Sequence, residues 1–394
     1  MHALNSKACR TLLACAVFAD CVVASSEAYR NAGSQGVRTI QSELQHHGWD
    51  LTVPFPPSAA DATPVRVPVK TTFYFPAAGV LPELPWVLLL NGYDVRSREY
   101  SDLLHALALR GYLVAAPDYR RFWPSNPAAS GPQYQEPGCD NKTFTLPALS
   151  LLNTVHEHLR RELEGSHSPH LEPLAGVSIN NMVLLGHSLG GLVAIQGLTG
   201  RCDPDADPDR EASTALDCEG YQPLLDAHGK SIIKGAFIYE GSPILEKQIP
   251  DESPKFANVS IPDDAFVAYF GSPSFSILLP QLTHTHGGCA QLTVLSSGNH
   301  YGITNFYNTS AHQVSPCHVQ TSWDPPDYTT DPAAQAGRVE LFTMVSDAAV
   351  RAFLLKDETA LQYLKSAVSQ DPGVQLHRFG DQCAERDSAR LVSS

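Results

Sequence analysis

Positive charge is scarce in this chain. Lys and Arg number 27 against 41 Asp and Glu in 394 residues, a formal net charge of −14. That balance excludes nucleic acid or an anionic membrane surface as the main partner. Charged residues of both signs make up only 17% and hydrophobic residues 43%, enough apolar material for a large core. α/β chains of this length often form one domain. Long apolar runs are missing too. After residue 24 none reaches the roughly 20 residues that a membrane-spanning helix needs. No internal repeat is visible, which excludes solenoids and propellers. Metal-ligand spacing is also absent. Asp203-Pro204-Asp205-Ala206-Asp207-Pro208-Asp209 alternates carboxylates. A calcium loop of that register needs Gly and Glu where Pro208 and Thr214 stand, so a solvated acidic loop is expected. His284 and His286 flank Thr285 with no carboxylate or thiolate at helical spacing, so they read as a polar loop. No metal and no cofactor are expected.

Cysteine is present, and its distribution is informative. Cys9, Cys15 and Cys21 fall in an N-terminal segment that reads as a secretory signal. Lys7 and Arg10 form a basic start, Thr11 to Ala24 is short and mostly apolar, and Val22 and Ala24 are small residues suited to cleavage after Ala24. Asp20 interrupts the apolar run; an N-terminal anchor or organelle-targeting peptide is the alternative. Residues 25–394 are then one domain in a secreted or lumenal protein. Cys139, Cys202, Cys218, Cys289, Cys317 and Cys383 remain, an even number that allows three disulfides among fifteen connectivities. Nearest-neighbour logic pairs Cys202–Cys218 and Cys289–Cys317, leaving Cys139–Cys383. Sequons at Asn141, Asn258 and Asn308 fit a glycosylated product.

Apolar periodicity orders the rest. Residues 25–64 read as a polar surface lead-in. Val65 to Phe75 alternates, as one or two early strands do. Trp86 to Leu90 is continuous and apolar, as a strand buried on both faces should be. A helix over Tyr100 to Arg110, stopped by Gly111, leads to a strand over Tyr112 to Pro117, a βαβ unit that demands parallel strands. Residues 118–147 form a long loop without period, the kind of segment that lines binding sites. Leu151, Val155, Leu159 and Leu163 mark a helix. Residues 201–230 are an acidic insertion. Ile232 to Tyr239, Ala265 to Phe270 and Leu292 to Leu295 are strands, the last of these closing the sheet. Val339 to Leu355 is the final amphipathic helix. The class is α/β, with a mostly parallel central sheet flanked by helices on both faces.

One stretch carries chemistry. Met182 to Leu185 is an apolar strand, Gly186-His187-Ser188-Leu189-Gly190 follows at once, and Leu192 to Leu198 begins a helix. Strand, Gly-x-Ser-x-Gly and helix form the nucleophile elbow of the α/β-hydrolases. The serine sits on a strained turn, and a Cβ at Gly186 or Gly190 would collide with the neighbouring strand or helix. Gly191 adds a small residue for close packing.

The resemblance to that fold implies a triad in the order serine, acid, histidine, with Ser188 the nucleophile. The base should follow the last strand, which selects His300, with His312 as runner-up. His187 is expected to pack rather than react. The acid should follow a strand end, which selects Glu240 directly after Ile238-Tyr239. Asp263 and Asp264 are the alternatives, but they precede a strand and so belong to the opposite edge. Backbone amides of Leu189 and Tyr93 would form the oxyanion hole.

Leu88-Leu89-Leu90-Asn91-Gly92-Tyr93, Gly111 to Pro117 and Gly186 to Gly191 together resemble chlorophyllases. Platelet-activating-factor acetylhydrolases and cutinase-like polyester hydrolases are similar in arrangement. The resemblance spans about residues 65 to 360 as an order of motifs. It implies an acid after the strand that follows the elbow, usually Asp, where this chain has Glu240. Chlorophyllases tend to carry Arg after the serine and His before Gly-Tyr; this chain has Leu189 and Asn91. Ester hydrolysis on a small-molecule or lipid-like substrate is what the resemblance implies. Chlorophyllase-like, phospholipid-directed and polyester-directed activities all stay open. So does a binding protein that has lost catalysis.

Cys289–Cys317, if formed, closes a loop containing His300 and should contribute about 2–4 kcal/mol. Peptide mapping under non-reducing conditions should recover the two as one cross-linked species. Free thiols at both positions would refute the pairing.

Overall fold

A five-residue stretch without a polar side chain needs apolar cover on both sides, and Trp86–Leu90 (β3) has it, with every residue buried. The computed structural model describes residues 37–45, 68–92, 95–118, 148–165, 174, 176–199, 222–241, 260–273, 286–296, 298, 300–305, 332–370 and 373–379. Its centre is a nine-stranded sheet. The strands are β1 (Val37–Gln45), β2 (Pro68–Pro76), β3, β4 (Val114–Asp118), β5 (Met182–His187), β6 (Ile233–Tyr239), β7 (Ser260–Gly271), β8 (His286–Leu295) and β9 (Val374–Phe379). Across the sheet they run β1-β2-β4-β3-β5-β6-β7-β8-β9. The six strands from β4 to β8 in that order are mutually parallel. The pairings β1–β2, β2–β4 and β8–β9 are antiparallel. The sheet is therefore mixed, and the α/β class stands.

Side chains alternate across the pleat, so each central strand feeds two cores. Val87 and Leu89 join one core with Leu103, Leu104 and Leu107 of α1 (Ser101–Leu109) and Phe342 and Val345 of α4 (Pro332–Phe353). Trp86, Leu88 and Leu90 join the other with Leu151 and Val155 of α2 (Ala148–Gly165) and Val193 and Leu198 of α3 (Leu189–Thr199). Helices thus cover both faces. α1 stops as its sequence requires. Gly111 takes φ +103°, and its N–H bonds the Ala108 carbonyl at 3.0 Å. A Cβ there would also lie 2.6 Å from the Leu81 side chain. α3 is buried nearly all round, which explains its lack of a polar face.

Four expectations need correction. The lead-in of residues 25–64 contains β1, and the helix over Val339–Leu355 is not the last element. It spans Pro332–Phe353 and is followed by α5 (Glu358–Gln370) and β9. Leu292–Leu295 is the end of a longer β8 and is not the last strand. Among the described residues β1 and β9 lie at the two sheet edges, each paired on one side. Edge strands tolerate polar residues, so neither VRTIQSELQ nor VQLHRF carries an apolar run. Asp263 and Asp264 lie inside β7, not before it, where the pairing with β8 slips between Ile261 and Phe266.

The signal segment, all three sequons, the acidic stretch of residues 201–221 and the loop of residues 119–147 lie outside the described residues. Cys289 is disulfide-bonded, and the other five candidate cysteines, Cys317 among them, also lie outside that range. No helix among the described residues is long and apolar enough to cross a membrane.

A buried ionic cluster ties α1 and its following loop to α4. Asp347, 1% exposed, accepts hydrogen bonds from Tyr112 at 2.9 Å, Arg351 Nε at 3.0 Å and Arg110 Nη1 at 3.4 Å. Burial, and after it the Asp347 charge, pushes the Tyr112 phenol well above its ordinary pKa, so it stays protonated and donates. Removing the carboxylate would strand Arg110 in the core. Asp347→Ala should cost about 3–5 kcal/mol in urea denaturation. An unshifted midpoint would show that the cluster contributes nothing to stability.

Candidate functional site

Parallel strands bring their carboxyl ends to one edge, and the residues that follow them meet there. Ser188 follows β5, Glu240 follows β6, Asn91 and Gly92 follow β3, and His300 lies five residues beyond β8.

The elbow is built from missing side chains. A Cβ on Gly186 would lie 2.5 Å from the Gly190 carbonyl oxygen, and one on Gly190 would lie 2.0 Å from the Leu90 carbonyl oxygen. One on Gly191 would lie 2.7 Å from Ile238 Cγ2 and 2.9 Å from Gly241 Cα. All four distances are below what a real Cβ tolerates. Between these glycines Ser188 adopts φ +51°. Its N–H donates to the Tyr239 carbonyl at 2.9 Å, and its carbonyl accepts from Gly191 N–H at 2.9 Å, starting α3. A left-handed serine costs of order 1–3 kcal/mol and persists only where its surroundings impose it. The Ser188 side chain is half-buried.

Glu240 repeats the device one strand over. It takes φ +50°, and its N–H donates to the Phe270 carbonyl at 2.8 Å. The carboxylate is buried. Oε1 accepts the Ser272 backbone N–H, and Oε2 stands 3.7 Å from His300 Nδ1. That separation is ion-pair range, longer than a hydrogen bond. The His300 side chain is 27% exposed and the Glu240 side chain 3%, so the imidazole bridges a buried carboxylate and the solvent edge. Asp263 and Asp264 are exposed, and Asp264 pairs with Lys234 at 2.9 Å near the start of β6. They stand at the other edge. Among the described residues no hydrogen bond joins the Ser188 hydroxyl to His300.

The Leu189 amide is the first of α3 and so has no intrahelical acceptor. Tyr93, the second expected oxyanion donor, lies outside the described residues, as does His312. His187 is fully buried and does more than pack. Its Nε2 lies 2.7 Å from the His300 carbonyl oxygen and its Nδ1 lies 2.7 Å from the Tyr100 hydroxyl. Sequence reasoning missed Tyr100, Ser272 and these two bonds. The available signal was a polar His within an otherwise apolar, buried strand end, since a buried imidazole must find partners.

Comparison with known proteins finds no matching family model and no matching curated sequence. Among the described residues no group of three or more His, Cys, Asp or Glu is arranged to hold a metal ion.

The elbow's dependence on Gly190 is testable. Gly190→Ala must push α3 away from β3, because the atom it meets is backbone. The variant should lose at least about 3 kcal/mol of stability by chemical denaturation. A variant as stable as the parent would mean that α3 is free to shift.

Proposed function

We propose that this chain is a serine hydrolase of carboxylic esters with an α/β-hydrolase fold, chlorophyllase-like in its motif order. The observation that carries the reading is a left-handed serine at a parallel strand's carboxyl end, on the same edge as a buried carboxylate facing a histidine Nδ1. Strain of that kind clusters at functional sites.

Ser188 Oγ is the nucleophile, and its proton passes to His300 Nε2, the ring nitrogen not turned toward Glu240. Glu240 accepts from Nδ1–H, fixes the tautomer and stabilises the imidazolium. Ser272 N–H holds the other carboxylate oxygen, so Glu240 has one oxygen left for the base. The amides of Leu189 and Tyr93 would receive the oxyanion. His300 then returns the proton to the departing alcohol, and water deacylates the serine by the same route. A Ser188 hydroxyl without a hydrogen bond to His300 is consistent with a site whose catalytic hydrogen bonds tighten only around substrate.

The substrate reading is broader than one ester. Esterases of the acetylhydrolase kind and polyester hydrolases fit the same residues. A binding protein of the same fold is favoured by one observation, the missing Ser188–His300 hydrogen bond. The secretory reading rests on the N-terminal segment and the even cysteine count, and makes the compartment extracellular or lumenal.

A panel of p-nitrophenyl esters of rising acyl length, run beside chlorophyll and an acetylated phospholipid, tests class and substrate together. Ser188→Ala should fold and abolish hydrolysis. Glu240→Gln should fold and lower kcat by about two to four orders of magnitude, because the amide cannot stabilise an imidazolium. An active, folded Ser188→Ala variant removes the nucleophile assignment. Inactivity of the parent on the whole panel favours the binding protein.

A further inference from the structure

Between the candidate base and the loop after β3 runs a hydrogen-bond chain with one possible direction. Tyr100 ends the 3-10 turn Ser97–Tyr100 and is completely buried. Its hydroxyl oxygen accepts the Gly92 N–H at 3.0 Å. The same hydroxyl lies 2.7 Å from His187 Nδ1. At the far side of the ring, His187 Nε2 lies 2.7 Å from the His300 carbonyl oxygen. A carbonyl only accepts, so Nε2 carries the proton. Nδ1 is therefore a lone pair, and the Tyr100 O–H donates to it. Gly92, Tyr100, His187 and His300 form one relay in which each donor has one acceptor.

Packing holds the relay in place. The His187 ring lies edge-on to Tyr100 at 5.7 Å and to Tyr301 at 5.8 Å, and 5.0 Å from the His300 ring. Gly92 makes room for it: a Cβ there would lie 2.6 Å from His187 Nδ1 and 3.3 Å from the Tyr100 hydroxyl. Burial first, and the nearby His300 second, hold His187 well below the ordinary imidazole pKa. It stays neutral when His300 takes a proton. A charged neighbour would disfavour that step, and a neutral one with a fixed tautomer does not.

We propose that Tyr100 and His187 are positioning residues that align the base His300 and the oxyanion loop as one unit. This rests on the serine hydrolase reading above. The relay fixes the height of the His300 backbone directly over the residue before Ser188. It also occupies the Gly92 amide, which is therefore not available to an oxyanion. The His300 backbone and the Gly92 backbone at the end of β3 are thereby set against each other by a single chain of bonds.

Other contacts hold the same segment without the relay. Asn305 N–H donates to the Glu99 carbonyl at 2.6 Å, and Asn305 Nδ2 to Ser101 Oγ at 2.6 Å. Gln335 Nε2 donates to the Tyr301 carbonyl at 2.8 Å and the Thr304 carbonyl at 2.5 Å. Loss of one hydroxyl should therefore leave the protein folded with its base loop docked, but with the base and oxyanion loop no longer in register.

The test compares Tyr100→Phe, His187→Gln and His187→Leu with the parent, by p-nitrophenyl butyrate kinetics, labelling with a fluorophosphonate and thermal melting. Tyr100→Phe should lower kcat about tenfold with KM within about twofold, because misalignment acts on the transition state. The labelling rate should fall in parallel. His187→Leu should lose about a hundredfold or more. His187→Gln keeps an N–H for the His300 carbonyl near the position of Nε2 and should recover most of that loss. If His187→Leu does not fold, the other two variants decide. Parent-like kcat in folded Tyr100→Phe, a change confined to KM, or a His187→Gln no better than Leu would overturn the positioning role while a labelled Ser188 keeps the hydrolase reading. A parent that is neither labelled nor active would overturn both.

Discussion

The rest of the site depends on how closely α3 approaches the strand ends. At Gly190 a single methyl group would come within 2.0 Å of the Leu90 carbonyl oxygen. That approach forces the chain to turn in one residue between β5 and α3, and Ser188 is the residue that turns. Its left-handed backbone is the consequence of the constraint, and the half-buried place of its side chain at the strand edge is the consequence of the backbone. The same closeness reaches the next strand. Gly191 and Gly241 face each other where a Cβ on either would lie within 2.9 Å of the other's Cα. The strand end that carries Glu240 is therefore pressed against the elbow, and Glu240, like Ser188, turns left-handed there.

Around that pair the fold spends polar contacts where the chain would otherwise drift. β8 delivers the candidate base only indirectly, since His300 comes after a short loop and not at the strand end. The loop is fastened by backbone carbonyls: His187 takes that of His300, and Gln335 takes those of Tyr301 and Thr304. Carbonyl fastening leaves the ring of His300 out of these bonds, which suits the proton exchange proposed for it. The aromatic packing beneath, with Phe342 against Phe270 at 4.4 Å and Tyr239 at 5.8 Å, ties α4 to β7 and to β6, which Glu240 follows.

Much of this was legible in the amino-acid order, for physical reasons. The buried strands β3, β5 and β6 announce themselves because both faces need apolar residues. The elbow is legible because steric exclusion leaves only glycine at fixed offsets from the serine. Glu240 is legible because a carboxylate directly after a buried strand has few reasons to be there. β1 and β9 were not legible, since an edge strand needs no apolar run and its polar residues imitate a loop. The extension of β7 through Pro262-Asp263-Asp264 was hidden for a related reason: exposed carboxylates at a register slip break the apolar pattern while the backbone remains extended. The bonds of His187 and Tyr100 were hidden more deeply. Nothing in spacing relates residue 100 to residue 187, and only the fold brings a phenol at the start of α1 against an imidazole at the end of β5.

His187 also explains why the elbow's variable position is not free in this chain. Its side chain points into a buried space bounded by Tyr100, Tyr239, His300 and Tyr301. An apolar residue would fill that space equally well, but the His300 carbonyl and the Tyr100 hydroxyl would then lose their partner inside the core, at roughly 1–3 kcal/mol for each group left unpaired. A positively charged residue would face His300 across 5 Å of poorly solvated space and oppose its protonation. A neutral side chain with one donor and one acceptor at opposite ends satisfies both demands, and imidazole held in one tautomer is that side chain. The elbow therefore constrains its middle three positions on different grounds: His187 by hydrogen bonding, Ser188 by backbone strain, and Leu189 by the burial of its side chain at the helix start.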